Sequence, residues 1–125
     1  MALPNIERLQ NETKKIVEEG SNENGSYIKY GTGTLVQYGA GSVTTNTVRS
    51  AGGLSYYSGS TEVDLPLAFI NANFILVSNI EMANMNYFAN SYLGILSKSR
   101  INIAFASTGQ NETRNIHWIA IGKWK

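Results

Sequence analysis

Eight short runs of strand-forming residues recur along the chain, and residues that favour turns separate them. Val, Ile, Thr and Tyr fill the runs, while Gly, Asn and Ser lie between them. Runs of this length and spacing are typical of an all-β fold, an antiparallel β-sandwich. The predicted strands lie near Tyr27–Tyr30, Gly33–Tyr38, Val43–Arg49, Glu62–Leu65, Phe74–Ile80, Leu93–Lys98, Ile101–Ala106 and Asn115–Gly122. The predicted turns are Gly31–Gly33, Gly39–Gly41, Ala51–Gly53, Ser58–Ser60 and Thr108–Asn111.

Length and composition exclude several other classes of protein. The 125 residues are enough for one domain, and only 15% of them are charged. With a net charge of only +1, the chain has too few positive charges for the basic surface that binds nucleic acid. We therefore expect no nucleic-acid partner. No apolar run approaches the roughly 20 residues of a membrane span, so we expect no membrane insertion. Because Cys is absent, disulfides, thiolate metal sites and cysteine nucleophiles are excluded.

The N-terminal segment differs from the rest of the chain because its apolar residues follow a heptad instead of alternating. Pro4 suits the first turn of a helix, and Gly20 suits its end. We predict a coiled-coil helix over residues 3–20, a linker over residues 21–26 and a β-sandwich domain over residues 27–125. The alternative is an amphipathic helix that lies on its own domain. The a and d positions of the heptad are Ile6, Leu9, Thr13 and Ile16.

Two of the predicted strands, Phe74–Ile80 and Asn115–Gly122, carry apolar residues on both faces. Alternate side chains of a strand face opposite sides, and a monomeric sandwich should be polar on its outer side. Either the chain itself or other copies of it must therefore cover the outer face. We expect other copies, because the predicted helix is too short and too polar to cover much. In the second strand one face has Ile116, Trp118 and Ala120, and the other has His117, Ile119 and Ile121.

The chain has few groups that could catalyse a reaction or bind a metal. His117 is its single histidine and Asp64 its single aspartate. A histidine in the middle of an apolar strand is more often packed, or placed at an interface, than catalytic. Glu62 and Asp64 share one strand face, which is more typical of a solvated edge than of a catalytic pair. We therefore expect no enzymatic activity, no metal and no cofactor.

Aromatic and amide side chains are concentrated in predicted turns and loops. Tyr56 and Tyr57 precede the predicted turn Ser58–Ser60, and the segment Ala83–Tyr92 is rich in Asn and Tyr. Aromatic rings stack on the CH groups of sugars, and amides hydrogen-bond to sugar hydroxyls. These residues indicate a carbohydrate site, and the alternative is that they only pack the loops and bond to the loop backbone.

Three blocks of sequence, in a fixed order, resemble one known family. The blocks are Asn24–Tyr30 with Gly33–Gly39, then Val63–Phe69, then Trp118–Trp124. Together they resemble the C-terminal domain of bacteriophage tail fibres. Tyr38 stands where that family usually has Trp, and Lys123 stands where it usually has Arg. Both changes are conservative and keep the implied fold.

This resemblance implies a homotrimeric β-sandwich similar to H-type lectins, at the distal tip of a tail fibre in the virion. It implies that the protein acts outside the cell, where it adsorbs to a host through a cell-wall or surface glycan. Because Met1 opens almost directly into the heptad, we also expect that the chain is the C-terminal fragment of a longer fibre. The alternatives are a structural trimerisation cap without a ligand and, less favoured, a fibre-borne glycan hydrolase. The three blocks look structural and do not fix the family's ligand residues. The candidates are therefore chosen by residue type alone: Tyr57, Asn84, Tyr87, Arg114 and His117.

Overall fold

The computed structural model describes the backbone of residues 15–80 and 89–125, and the side chains of residues 15–80 and 93–125. All regular secondary structure in these ranges is β-strand. The strands are β1 (Ile16–Asn22), β2 (Gly25–Tyr30), β3 (Thr34–Thr44), β4 (Thr47–Ala51), β5 (Leu54–Asp64), β6 (Ile75–Ile80), β7 (Ala89–Ser97), β8 (Arg100–Ser107) and β9 (Thr113–Lys123). Within the same ranges no helix is long and apolar enough to cross a membrane.

Two antiparallel sheets form the sandwich. The five-stranded sheet has the order β1-β2-β3-β9-β6, and the four-stranded sheet has the order β4-β5-β8-β7. The last strand, β9, pairs along its whole length with β3 and also with β6, so the C-terminal sequence lies inside a sheet. The prediction of an antiparallel β-sandwich is therefore confirmed.

The core lies between the two sheets and follows from the alternation of side chains along the central strands. On β9, Ile116 and Trp118 are buried, while the residues between and beside them point outward. Phe69 and Phe74 stack with ring centroids 4.3 Å apart and close one end of the core. The largest fully buried apolar side chains are Trp118, Phe105, Leu35, Ile101, Ile103 and Ile116.

The structure corrects the prediction for the N-terminal region where the two overlap. Residues 16–20, predicted as the end of the coiled-coil helix, belong to strand β1, and residues 21–26 form a hairpin instead of a linker. The hairpin closes because Asn22 Oδ1 accepts the N–H of Asn24 at 2.8 Å, and Gly25 adopts a positive φ of 142°. Residues 1–14, with most of the predicted heptad, lie outside the described residues.

Glu18 helps to join β1 to β2. The hydroxyl of Tyr27 donates to Glu18 Oε2 at 2.8 Å, and Lys29 Nζ lies 3.8 Å from Glu18 Oε1. The hydrogen bond to Glu18 raises the pKa of the Tyr27 phenol, and desolvation and the carboxylate charge add to this effect. Because the Glu18 carboxylate accepts a hydrogen bond from Tyr27 on β2, it favours a hairpin over a helix for the residues of β1.

Two glycine-containing segments that were predicted as turns lie inside strands. Gly39 is in β3 and Gly59 is in β5, and each lies where another residue comes very close. A Cβ on Gly39 would lie 2.8 Å from the ring of Trp118, and a Cβ on Gly59 would overlap the carbonyl oxygen of Thr44. Glycine is needed there for space, not for a turn. The turns at Gly31–Gly33, Ala51–Gly53 and Thr108–Asn111 are confirmed.

The predicted strand Val43–Arg49 is two strands. The ladder of β3 ends at Thr44, the chain crosses between the sheets at Thr45 and Asn46, and β4 begins at Thr47. Thr45 is fully buried at this crossing and bonds to the loop before β9. A crossing of this kind has no local sequence signal, because Thr and Val suit both strands equally.

The sandwich has two distinct ends, named here the entry end and the far end. At the entry end the N–H of Gly31 donates to the carbonyl of Lys15, the first described residue, at 2.9 Å. Trp124 lies at this end too, where its Nε1–H donates to the carbonyl of Tyr30 at 2.8 Å. The far end is defined by Thr45, Ser107 and Glu112, at the opposite ends of strands β3, β8 and β9.

Candidate functional site

A buried polar cluster organises the far end. The hydroxyl of Thr45 donates to the carbonyl of Gly109 at 2.9 Å and accepts the N–H of Glu112 at 2.9 Å. The N–H of Asn111 in turn donates to the carbonyl of Thr45 at 2.6 Å. These bonds hold the loop Thr108–Asn111 against the crossing between the two sheets, so the far end has a defined shape.

Glu112 and Arg114 form an ion pair within this cluster. Arg114 Nη2 lies 3.5 Å from Glu112 Oε2, which also accepts the hydroxyl of Ser107 at 2.9 Å. Only 13% of the Arg114 side chain and 14% of the Glu112 side chain are exposed. Arg114 Nη1 donates to the carbonyl of Thr113 at 3.0 Å, and Nε is buried without a hydrogen-bond partner among the described residues. The guanidinium is therefore held in place while part of its donor capacity is unused.

Tyr57 lies at the same end of the sandwich as Arg114. In the strand register Tyr57 is opposite Ser107, and residues opposite each other share one face of a sheet. Ser107 bonds to Glu112, which pairs with Arg114. The structure thus brings two of the five predicted site residues to the far end, linked through Ser107 and Glu112.

Asn84 and Tyr87 lie in residues 81–88, outside the described residues. The chain leaves β6 at Ile80, which pairs with Ile116, two residues along β9 from Arg114. It enters β7 at Ala89, which pairs with Ser107. Ile80 and Ala89 therefore both lie toward the far end of the sandwich.

His117 does not join the far-end cluster. It lies three residues from Arg114 on β9, so the alternation of a strand points the two side chains to opposite faces. His117 is exposed on the outer face, between Ala40 on one neighbouring strand and Asn79 on the other. The five predicted residues are therefore not one site.

The outer face of the five-stranded sheet carries a continuous apolar surface, here called the apolar face. Its five largest side chains are between 40% and 66% exposed, and they are neighbours across three strands. This confirms the prediction that the strands now identified as β6 and β9 carry apolar residues on both faces. The apolar face consists of Tyr38, Ile75, Val77, Ile119 and Ile121.

The three sequence blocks of the tail-fibre resemblance make structural contacts. Gln37 from the first block is fully buried, donates from Nε2 to the carbonyl of Leu67 at 3.0 Å and accepts the Leu67 N–H at 2.8 Å. Trp118 from the third block is in the core, and the ring of Trp124 lies about 5 Å from the ammonium groups of Lys29 and Lys125. The blocks hold the two sheets and the entry end together, and they do not form the far end.

Metal-binding groups are sparse in residues 15–80 and 89–125, where no three His, Asp or Glu side chains come together. The far-end cluster has a single carboxylate, which is already bonded to Ser107 and Arg114. The chemistry that it offers is hydrogen bonding from the Arg114 guanidinium, with Tyr57 at the same end of the sandwich.

Two solved structures have a similar fold. The first is the P. aeruginosa R1 pyocin fibre comprising its C-terminal residues 323–701, with a TM-score of 0.55 at 18% identity. The match covers 90% of this chain and 30% of that fibre, so this chain spans about a third of its length. The second is an N-truncated R1-type pyocin tail fibre, with a TM-score of 0.55 at 17% identity over 98% of this chain and 96% of that one. The fold is thus that of a tail-fibre domain.

The family follows from the sequence match. A model described as "Putative tail fiber protein gp53-like, C-terminal" matches residues 29–123. The chain belongs to this family, and the resemblance to tail-fibre C-terminal domains is confirmed. No curated protein matches the chain.

Proposed function

We propose that this domain is the receptor-binding tip of a phage or phage-like tail fibre, and that it adsorbs the particle to a host surface glycan. In this proposal the protein resides in the virion and acts outside the cell. The observation that carries the proposal is that the described chain begins at one end of the sandwich and the polar cluster lies at the other. Lys15 enters at one end, and the cluster around Arg114 and Tyr57 lies at the other. A fibre that joins the domain at its entry end would present the far end to the host.

Side-chain chemistry at the far end supports a glycan ligand. The guanidinium of Arg114 supplies donors in a fixed position, and the half-buried ring of Tyr57 can stack on the CH face of a sugar. Asn84 and Tyr87 remain candidates by residue type for the same site. Binding at each site should be weak, about millimolar to micromolar, because small polar ligands bury little apolar area. Several copies on one fibre would raise the avidity.

We further propose that the chain is a homotrimer whose subunits meet through the apolar face. Exposed apolar patches of this extent are uncommon on monomers and usually mark interfaces. His117 lies on the same outer face, so in this arrangement it is an interface residue and not a far-end ligand. A coiled coil formed by the N-terminal residues would add to the trimer and would form the end of the stalk.

In this proposal the domain has no enzymatic activity and needs no cofactor. The alternative is a structural trimerisation cap with no ligand of its own, which the buried blocks around Gln37 and Trp118 would also suit. Adhesion is favoured over the cap because a positioned arginine, Arg114, and a half-buried tyrosine, Tyr57, lie at the end of the sandwich opposite Lys15.

A glycan array probed with the intact oligomer tests the proposal. We expect binding to at least one bacterial surface glycan, and we expect Tyr57→Ala to weaken it by about tenfold. Tyr30→Ala is the matched control, because Tyr30 is a half-buried tyrosine at the entry end. If the oligomer binds no glycan, the structural cap is the better account. If the two variants behave alike, the far end is not the site.

A further inference from the structure

Another candidate site is a groove on the four-stranded sheet, at the entry end. It is an open groove of about 410 Å³ between the end of β5 and the turn that joins β7 to β8. Two serines at this turn border the groove, together with charged side chains of β5 and β8. Its lining residues are Glu62, Asp64, Leu96, Ser97, Ser99 and Arg100.

Arg100 is held between two carboxylates at this wall. Its Nε lies 2.9 Å from Asp64 Oδ1, and its Nη1 lies 3.3 Å from Glu62 Oε2. The hydrogen bond to Asp64, followed by the charges of Asp64 and Glu62, raises the pKa of the Arg100 guanidinium above its ordinary value. The side chains are 50–60% exposed, so they face solvent in the groove. Because exposed ion pairs contribute little to stability, these contacts add little to the free energy of folding.

The groove offers hydrogen-bond acceptors and donors side by side. The carboxylates have lone pairs that Arg100 does not use, and Arg100 keeps the N–H groups on Nη2, since its contacts use Nε and Nη1. Each hydroxyl of a sugar donates one hydrogen bond and accepts others, so a pair of adjacent hydroxyls matches this alternation. Leu96 is half exposed and supplies apolar surface for the CH face of a ring.

The charge of the groove selects among ligands. Two carboxylates and one guanidinium sum to −1, which disfavours phosphate, sulfate and acidic sugars. An ammonium ligand could use the lone pairs that Arg100 leaves free, but the positive charge of Arg100 beside both carboxylates would repel it. A neutral polyhydroxy ligand meets neither obstacle.

We propose that this groove binds a neutral saccharide, with two adjacent hydroxyls between Glu62, Asp64 and Arg100 and the ring against Leu96. The site is separate from the far end. It lies on the four-stranded sheet, so it would stay open if copies of the chain pack through the apolar face of the other sheet. It does not depend on the proposed far-end site, and either can fail without the other.

Saturation-transfer difference NMR on the intact protein tests the groove. The neutral probes are the methyl glycosides of mannose, galactose and rhamnose, and the charged probes are glucosamine and glucuronate. We expect signal from at least one neutral probe and a weaker signal from both charged ones. The signal should fall about fivefold in Glu62→Gln and in Arg100→Lys, which keep the size and the charge, respectively, of the original side chains. Glu23→Gln, an exposed turn residue, and Tyr57→Ala, at the far end, should leave it unchanged.

Each other outcome overturns the proposal. No signal from any neutral probe means that the groove is only a surface ion-pair cluster. A stronger signal from glucosamine, lost in Glu62→Gln, makes it a site for a cation. A neutral-probe signal that both groove variants retain places the binding elsewhere, and its loss in Tyr57→Ala alone would support the far-end site instead.

Discussion

Gln37 shows how a single polar residue can join a strand to a distant loop. Its side-chain amide makes the two hydrogen bonds that a neighbouring strand would otherwise make. Nε2 donates to the carbonyl of Leu67, and Oε1 accepts the Leu67 N–H. The side chain is fully buried, so both backbone groups of Leu67 depend on it. The sequence shows Gln37 within an apolar run but not its partner 30 residues away.

Replacing Gln37 by leucine should therefore destabilise the domain. Gln37→Leu keeps the volume approximately but removes the partners of the partly buried N–H and C=O of Leu67, which costs about 1–3 kcal/mol. Urea unfolding measures the loss, and Gln110→Leu, at an exposed turn position, is the control. Equal stabilities of the two variants would show that Leu67 finds other partners.

Gly59 is a second residue whose role cannot be read from its sequence context. Ser58–Ser60 has the composition of a turn, yet the segment is a strand that passes the carbonyl of Thr44 too closely for any side chain. Gly59→Ala should lower the free energy of unfolding by about 1–3 kcal/mol or more, because the strands must move apart. Gly94→Ala is the matched strand control, since its nearest contact would be at 3.8 Å. Thermal unfolding measures both variants. A larger loss of stability in Gly59→Ala than in Gly94→Ala would show that Gly59 is required because there is no room for a side chain.

Among the elements, the hairpins differ in how far their sequence predicts them. The turn between β4 and β5 was predicted, because Gly52 and Gly53 are a local signal that suits positive φ. Strand β1 was predicted as helix, because Ile16 fits both a heptad and a strand. The choice depends on pairing with β2, which a single segment cannot show.

The turn at Gly52 and Gly53 allows a test of backbone strain alone. Their φ values are 58° and 80°, and a Cβ at either position would meet nothing within 4 Å. Gly52→Asn should be nearly neutral, because Asn tolerates the left-handed region. Gly53→Val should cost about 1–2 kcal/mol, since a β-branched residue does not. Chemical denaturation measures both, and a neutral Gly53→Val would mean that the turn can change type freely.

The β1–β2 hairpin should respond to alkaline pH through Tyr27. Glu18 raises the Tyr27 pKa, so the protonated hydroxyl is favoured in the folded protein. Its contribution to stability is therefore fully present below the ordinary tyrosine pKa and is lost as pH rises through the raised value. In Glu18→Gln the tyrosine should titrate at lower pH than in the wild type, as followed by NMR of the Tyr27 ring. Unchanged titration would show that the hydrogen bond is not formed in solution.

At the scale of the whole molecule, the sequence predicts an uncovered apolar surface but not what covers it. The alternation in β6 and β9 was enough to predict apolar residues on both faces. The same alternation separates Arg114 from His117, which selection by residue type overlooked. Tyr57 and Arg114 are linked only through β8 and the loop before β9, so no local pattern could have placed them at the same end.

Ile119→Lys should dissociate the proposed trimer. Ile119 lies in the middle of the apolar face, and a charge buried there between copies would be costly. Leu54→Lys is the control, because Leu54 is more exposed than Ile119 but lies on the other sheet. Sedimentation velocity should give a trimer for the wild type and the control, and smaller species for Ile119→Lys. A trimer in all three would exclude the apolar face as the interface.

Adsorption of the domain to bacteria is the decisive test of whether it is a receptor-binding tip. The measurement is binding of the fluorescently labelled protein to a panel of bacterial strains, each compared with cells stripped of surface polysaccharide. We expect saturable binding to at least one strain, loss of that binding when the polysaccharide is removed, and competition by the purified polysaccharide. Binding to no strain, or binding that survives removal of the polysaccharide, would rule out the proposed glycan-binding tip.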